Sequence, residues 1–269
     1  MKINSLQKTL LIYLVFLCLF WLWLFFSGYK TNFWNYFYSF SFSQIPLIGG
    51  LVGVLVAKPW GGLKSSLGKS ISLISFGLFS WGLGSMIWSY YNFFRNIPAP
   101  YPSLADLGFV LSLPLWTFGM ISISKATGAK FGLQHKKGKI LLILIPFGVF
   151  IFSYYALVII ARGGQLTGSF ESYLKLSLDL AYPLGDVLIL TISLLIFGLS
   201  YKYLGGKYRL TILSILLGFV TMYFADFVFS YTTTVGTFYN GSLGDLFFTA
   251  ALFFITFGTL GFYRDKNFS

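Results

Sequence analysis

The sequence predicts an all-α integral membrane protein of about eight transmembrane helices, a single domain over residues 1–269, and three observations predict it. First, 57% of the residues are hydrophobic and 10% are charged, where a soluble domain carries about 25% charged residues. Second, eight apolar runs come close to the ~20 residues that a spanning helix needs. Third, Lys and Arg fall mainly in every second link between those runs.

The first run, Leu10–Phe26, follows a short basic segment and has the outline of a signal peptide. Phe20 to Phe26 is aromatic-rich, no small-x-small site follows, and Leu17 precedes Cys18 where a lipoprotein site needs a small residue. A retained signal anchor is expected. The second run, Tyr36–Ala57, is interrupted by Pro46, Gly49 and Gly50, which makes residues 10–57 the weakest hairpin. Ile71–Phe94, Leu104–Ile123, Ile140–Ile160, Leu176–Leu199, Leu210–Tyr231 and Leu243–Phe262 follow. Their length separates helix from strand, and the ten-residue alternation of barrel strands is absent. Pro183 predicts a kink in the sixth run, or a helix that restarts there.

With the N-terminus inside, Lys2, Lys8, Lys58, Lys64, Lys69, Lys125, Lys130, Lys136, Lys137, Lys139, Lys202, Lys207, Arg209, Arg264 and Lys266 lie on the inner side. Only Lys30, Arg95, Arg162 and Lys175 lie on the outer side. The positive-inside rule therefore predicts a multi-pass protein of the cell (inner) membrane with both termini cytoplasmic. The net charge of +12 is explained by this topology and does not point to nucleic acid. Of the seven acids, Asp106, Glu171, Asp179, Asp186, Asp226 and Asp245 fall on the outer side, and Asp265 does not.

A helical hairpin repeats. Ser103-Leu104-Ala105-Asp106, Pro183-Leu184-Gly185-Asp186 and Ser242-Leu243-Gly244-Asp245 each precede a Phe-Gly pair by a similar distance. Each follows an aromatic-Ser-Tyr: Trp88-Ser89-Tyr90, Phe152-Ser153-Tyr154 and Phe229-Ser230-Tyr231. Four such hairpins make eight helices, and repeated membrane hairpins often enclose a central site.

The candidate ligand-binding residues are Asp106, Asp179, Asp186, Asp226 and Asp245, with Arg95, Tyr90, Tyr154 and Tyr231. Ser103-x-x-Asp106 and Ser242-x-x-Asp245 fit a capping box, in which the acid at the third helical position reaches back to the cap. That reading needs no ligand and does not exclude one. Asp226 lies about 7 Å inside the outer end of its helix at 1.5 Å per residue. A carboxylate at mid-membrane costs roughly 2.5–3.5 kcal/mol and usually faces a partner or a cavity. For Asp179 and Asp226 the partner reading is a nearby Tyr or Ser, or an ion pair with Arg95 or Arg162. The tyrosines fit an aromatic belt or the rim of a pocket. His135 is the only His, which excludes bis-His haem and His-rich zinc sites. No catalytic, metal or cofactor residues are assigned, and an enzyme is not expected.

Ile87-Trp88-Ser89-Tyr90-Tyr91, Pro100-Tyr101-Pro102-Ser103-Leu104-Ala105-Asp106 and Leu113-Pro114-Leu115 resemble the multi-helix membrane sensor region that precedes many bacterial diguanylate cyclase and phosphodiesterase domains. Ala181-Tyr182-Pro183-Leu184-Gly185-Asp186 and Gly236-Thr237-Phe238-Tyr239-Asn240-Gly241-Ser242-Leu243-Gly244-Asp245 are similar to later landmarks of that region, in the same order. The resemblance covers residues 77–261. It implies an integral membrane input module that signals to a cytoplasmic enzyme. Only Tyr263 to Ser269 follow Phe262, so no output domain is expected on this chain. The expected partners are the lipid bilayer and a separate cytoplasmic signalling protein.

The leading functional reading is a sensor or ligand-binding module with an outward-facing acidic and aromatic site, suited to a cation or a basic small molecule. The alternatives are a cation or small-molecule transporter using the same acids, and a membrane enzyme acting on a lipid-linked substrate through paired aspartates. A transport path needs polar groups across the whole membrane, and the inner halves of the runs carry no acids.

Overall fold

In the computed structural model, residues 3–165, 173–202 and 208–263 are described. Lys2, Glu171, Lys207, Arg264, Asp265 and Lys266 of the charge pattern lie outside them. The described chain forms helices α1 (Ser5–Ser27), α2 (Phe33–Ala57), α3 (Ser66–Phe94), α4 (Leu104–Ala126), α5 (Ala129–Gln134), α6 (Lys136–Ser153), α7 (Tyr173–Ser200), α8 (Arg209–Thr234) and α9 (Leu243–Leu260). Among the described residues there is no strand. All but the short α5 are long and apolar enough to cross a membrane, α6 together with the π-helical turn Tyr154–Ile160 that continues it.

Six of the eight apolar runs sit inside one helix, Ile140–Ile160 spans α6 and the π turn, and Leu243–Phe262 passes the end of α9 by two residues; polar residues set several of the starts. Asn4 caps α1 in a box with Gln7, Asn32 caps α2, Ser65 caps α3 and Ser103 caps α4. Such oxygens satisfy backbone N–H groups that a first turn leaves without partners. Two expectations change. α2 runs unbroken through Pro46, and α7 runs through Pro183 without restarting there. A proline inside a helix loses one i→i−4 bond, and the rest of the ladder holds the segment.

Helices α2, α3, α4, α7, α8 and α9 close a ring, each packed on the next and α9 back on α2. α1 flanks α2 and α9, while α6 and its π turn flank α7 and α8. Small residues let the backbones approach. A Cβ on Gly108 of α4 would stand 2.6 Å from the Gly84 nitrogen of α3, and one on Gly218 of α8 would stand 2.5 Å from the Ile255 side chain of α9. Aromatic side chains fill the interior. The Trp81 ring lies 5.1 Å from Phe109 and 5.6 Å from Phe248, and Trp116 lies 5.4 Å from Phe219.

The bundle has two chemically different ends. At one, Tyr101, Asn240 and the aspartates gather. At the other, Asn4 and Gln7 donate to the Leu260 and Phe257 carbonyls, and Trp60 donates to that of Phe262. The Phe257 and Leu260 carbonyls also accept the Gly261 and Tyr263 N–H groups, so these side chains add second donors that tie the start of α1 to the end of α9.

Candidate ligand site

The site is built where α4 and α7 meet at the Tyr101 end. The capping box at the start of α4 forms as its sequence predicts. The Ser103 N–H donates to Asp106 Oδ2 at 2.7 Å, and Ser103 Oγ accepts from the Ala105 N–H at 3.2 Å. The second Asp106 oxygen faces α7, where it accepts from the Tyr182 hydroxyl at 2.7 Å. The converse bond lies beside it. Tyr101, just before α4, donates to Asp179 of α7 at 2.8 Å. Each helix thus lends the other one tyrosine and takes one back. Tyr101 stands outside the long helices, and partial burial followed by the Asp179 bond pushes its hydroxyl above the usual tyrosine range.

Arg162, at the end of the π turn, closes the outer side of this group. Its Nη1 donates to the Asp179 carbonyl oxygen at 2.9 Å, and its Nε reaches Ser230 of α8 at 3.4 Å. Ser230 and Ser153 are the serines of two aromatic-Ser-Tyr motifs, and Ser153 accepts from Tyr223 at 3.0 Å. The third, Ser89, is buried with no hydrogen-bond partner.

Deeper in the bundle, α7 and α8 bring the carboxyl groups of Asp186 and Asp226 within hydrogen-bonding reach of each other. Tyr182 is within electrostatic reach of Asp226, and Arg162 of Asp186. Asp186 also lines a cavity of ≈ 10 Å³ with Leu113, Trp116, Ile189, Phe219, Met222 and Tyr223, about the space of one water. Asp106, Asp179, Asp186 and Asp226 therefore form one polar group.

Asp245 belongs elsewhere. Its Oδ2 accepts from Ser39 of α2 at 2.6 Å and from the Gly241 N–H at 2.7 Å. The capping box expected at Ser242 does not form, and the buried Ser242 hydroxyl has no partner. The physical reason is competition: Asp245 is already held from the loop and from α2. Around it, Asn240 Oδ1 accepts from Trp88 and Ser39, and Asn35 donates to the Asn240 and Tyr29 carbonyls. This knot joins α2, α3 and α9.

The remaining candidates stand apart. Arg95 is exposed. Tyr90 stacks on Phe94 and Tyr231 on Phe227, and both are more than 40% exposed, as is Tyr154 at the start of the π turn. These positions match an aromatic belt and lie outside the polar group. Sequence reasoning did not single out Tyr101, Tyr182 and Arg162 as site residues. One signal was available: Pro183 lies four residues after Asp179 and, having no N–H, cannot make the usual helical bond to its carbonyl.

Compared with the models of known protein families, with curated proteins and with solved structures, the chain matches none.

Proposed function

We propose that the chain is a membrane-embedded sensor or ligand-binding module whose site is the polar group of Asp106, Asp179, Asp186 and Asp226 with Tyr101, Tyr182 and Arg162. One observation carries the reading. The Tyr182–Asp106 bond joins two of the landmark segments in the resemblance to sensor regions, the one around Tyr101 and the one around Tyr182. Beneath it lies a carboxyl pair on helices long enough to span a membrane. Ionisable groups at such depth are costly and tend to mark function. A cation, either a metal ion or a basic small molecule that donates N–H bonds, is the ligand chemistry this group fits, because it gathers four aspartates around Arg162. The apolar filling around Trp81 and Trp116 favours binding over a transport path. The site faces outward and the termini lie in the cytoplasm in this reading, on the strength of the Lys and Arg distribution.

The hairpin repeat belongs to the same proposal. Its support is that Asp106 and Asp245, aligned in the repeat, each take a backbone N–H from the turn before their helix, at Ser103 and Gly241.

The test is thermal unfolding of the purified chain in detergent with guanidinium, spermidine, sodium or choline. At least one of the first three is expected to raise the midpoint relative to choline, and Asp226→Asn is expected to remove that rise without lowering the basal midpoint. Identical midpoints in all four salts would remove the reading. A basal loss for Asp226→Asn alone would leave the residue as an internal strut.

A further inference from the structure

At the opposite end from this site, the link between α4 and α6 carries Lys125, Lys130, Lys136, Lys137 and Lys139 within fifteen residues. The stretch contains no acid. All five lysines are exposed, and the described aspartates sit at the other end of the bundle. This basic stretch is not a loose loop. It folds into α5, and Gly132 of α5 packs directly against the Leu199 backbone of α7. Gly138, in the first turn of α6, packs in turn on the Gly132 carbonyl. The Thr127 and Ser200 hydroxyls bond at 3.0 Å and fix the start of the link to the end of α7.

We propose that this platform binds the anionic headgroups of the lipid surface that it faces. Charge complementarity argues for it: five exposed lysines with no acid in the stretch between them attract anions. Position argues for the membrane as their source. The lysines emerge at the ends of two helices long enough to cross a bilayer. Phe131 and Ile140, 56% and 53% exposed, stand among them, as apolar side chains do when they enter the headgroup layer. Clusters of four to eight basic residues beside a spanning helix are worth roughly a five-fold preference per lysine for an anionic surface. α7 links the two ends, with Asp179 near one terminus, Asp186 at its middle and Leu199 and Ser200 at the other terminus, so the platform is seated on the helix that carries the proposed site.

The experiment uses the full chain in micelles doped with equal phosphatidylglycerol and phosphatidylcholine, with the retained lipids counted by native mass spectrometry. The wild-type chain is expected to retain phosphatidylglycerol over phosphatidylcholine by at least the roughly five-fold that one lysine supplies, and the ratio is expected to fall as salt rises. The combined variant Lys130→Gln/Lys136→Gln/Lys137→Gln/Lys139→Gln is expected to bring it close to one. Equal retention by the wild-type chain, or a ratio that ignores salt, overturns the proposal, and neither readout depends on the variant folding. An unchanged preference in a folded variant also overturns it. Displacement of the lipid by soluble glycerol phosphate would reassign the platform to a free phosphate. Displacement by polyglutamate alone would reassign it to an acidic protein.

Discussion

Arg162 donates from Nη1 to the carbonyl oxygen of Asp179 at 2.9 Å, and this is the carbonyl that Pro183, four residues on, leaves without a helical donor. A break in one helix is thereby made good by a side chain from another segment. The same guanidinium reaches Ser230 of α8, so the break in α7 is also where α7 and α8 are cross-linked.

Arg162→Gln is expected to cost about 1–3 kcal/mol by removing a charged donor from this partly buried carbonyl. In a Pro183→Ala background the helix supplies its own N–H, and the same substitution should cost less. Thermal midpoints of the four chains in detergent give the coupling, expected at roughly 0.5–3 kcal/mol. Strict additivity would mean that the two residues do not share the carbonyl.

Ser103 and Ser242 precede similar tetrapeptides and should respond differently. Ser103→Ala removes a working cap and is expected to cost about 1 kcal/mol. Ser242→Ala removes a buried hydroxyl that bonds to nothing and should be neutral or mildly stabilising. Asp245→Ala strands the Gly241 N–H and leaves the Ser39 hydroxyl only its longer bond to Asn240, and should cost about 1–3 kcal/mol for the orphaned N–H. Denaturation midpoints rank the three, and a Ser242→Ala loss equal to that of Ser103→Ala would restore the cap.

Gly108 and Gly148 are both helical glycines with opposite surroundings. Gly108→Ala drives a methyl into the α3 backbone and is expected to cost about 1–3 kcal/mol. Gly148 has open space about it, so Gly148→Ala should gain about 0.5–1 kcal/mol from helix propensity alone. Unfolding of both variants in the same detergent checks the pair.

Orientation is tested by reporters. A phosphatase fusion after Gly164 is expected to be active outside the cell, and a fluorescent fusion after Lys136 to glow in the cytoplasm. The opposite pattern would place the aspartate end inside.

The helices were legible because an apolar run long enough to cross a membrane has few other ways to satisfy its backbone. The Ser103 cap was legible because all its parts lie within four residues. The failed cap at Ser242 was not, since Asp245 is claimed by Ser39, 206 residues away. Likewise the aspartates aligned in the repeat look equivalent along the chain, yet Asp106 joins Tyr182 while Asp245 joins Ser39. Which helices become neighbours decides this, and no spacing encodes it. The π turn after Ser153 and the filled Pro183 gap depend on the same long-range packing.

The closure of α9 onto α2 also sets a schedule for biosynthesis. Ser39 and Tyr38 of α2 find their partners in Asp245 and Thr249, 206 and 211 residues later. At ~5–20 residues per second, roughly ten to forty seconds separate the emergence of these groups from that of their partners. Through that interval α2 waits in the ribosome's wake with polar side chains uncommitted, and it needs water, the insertion machinery or a chaperone to shelter them. A chain that ends before Leu243 carries Ser39 and Tyr38 without these partners.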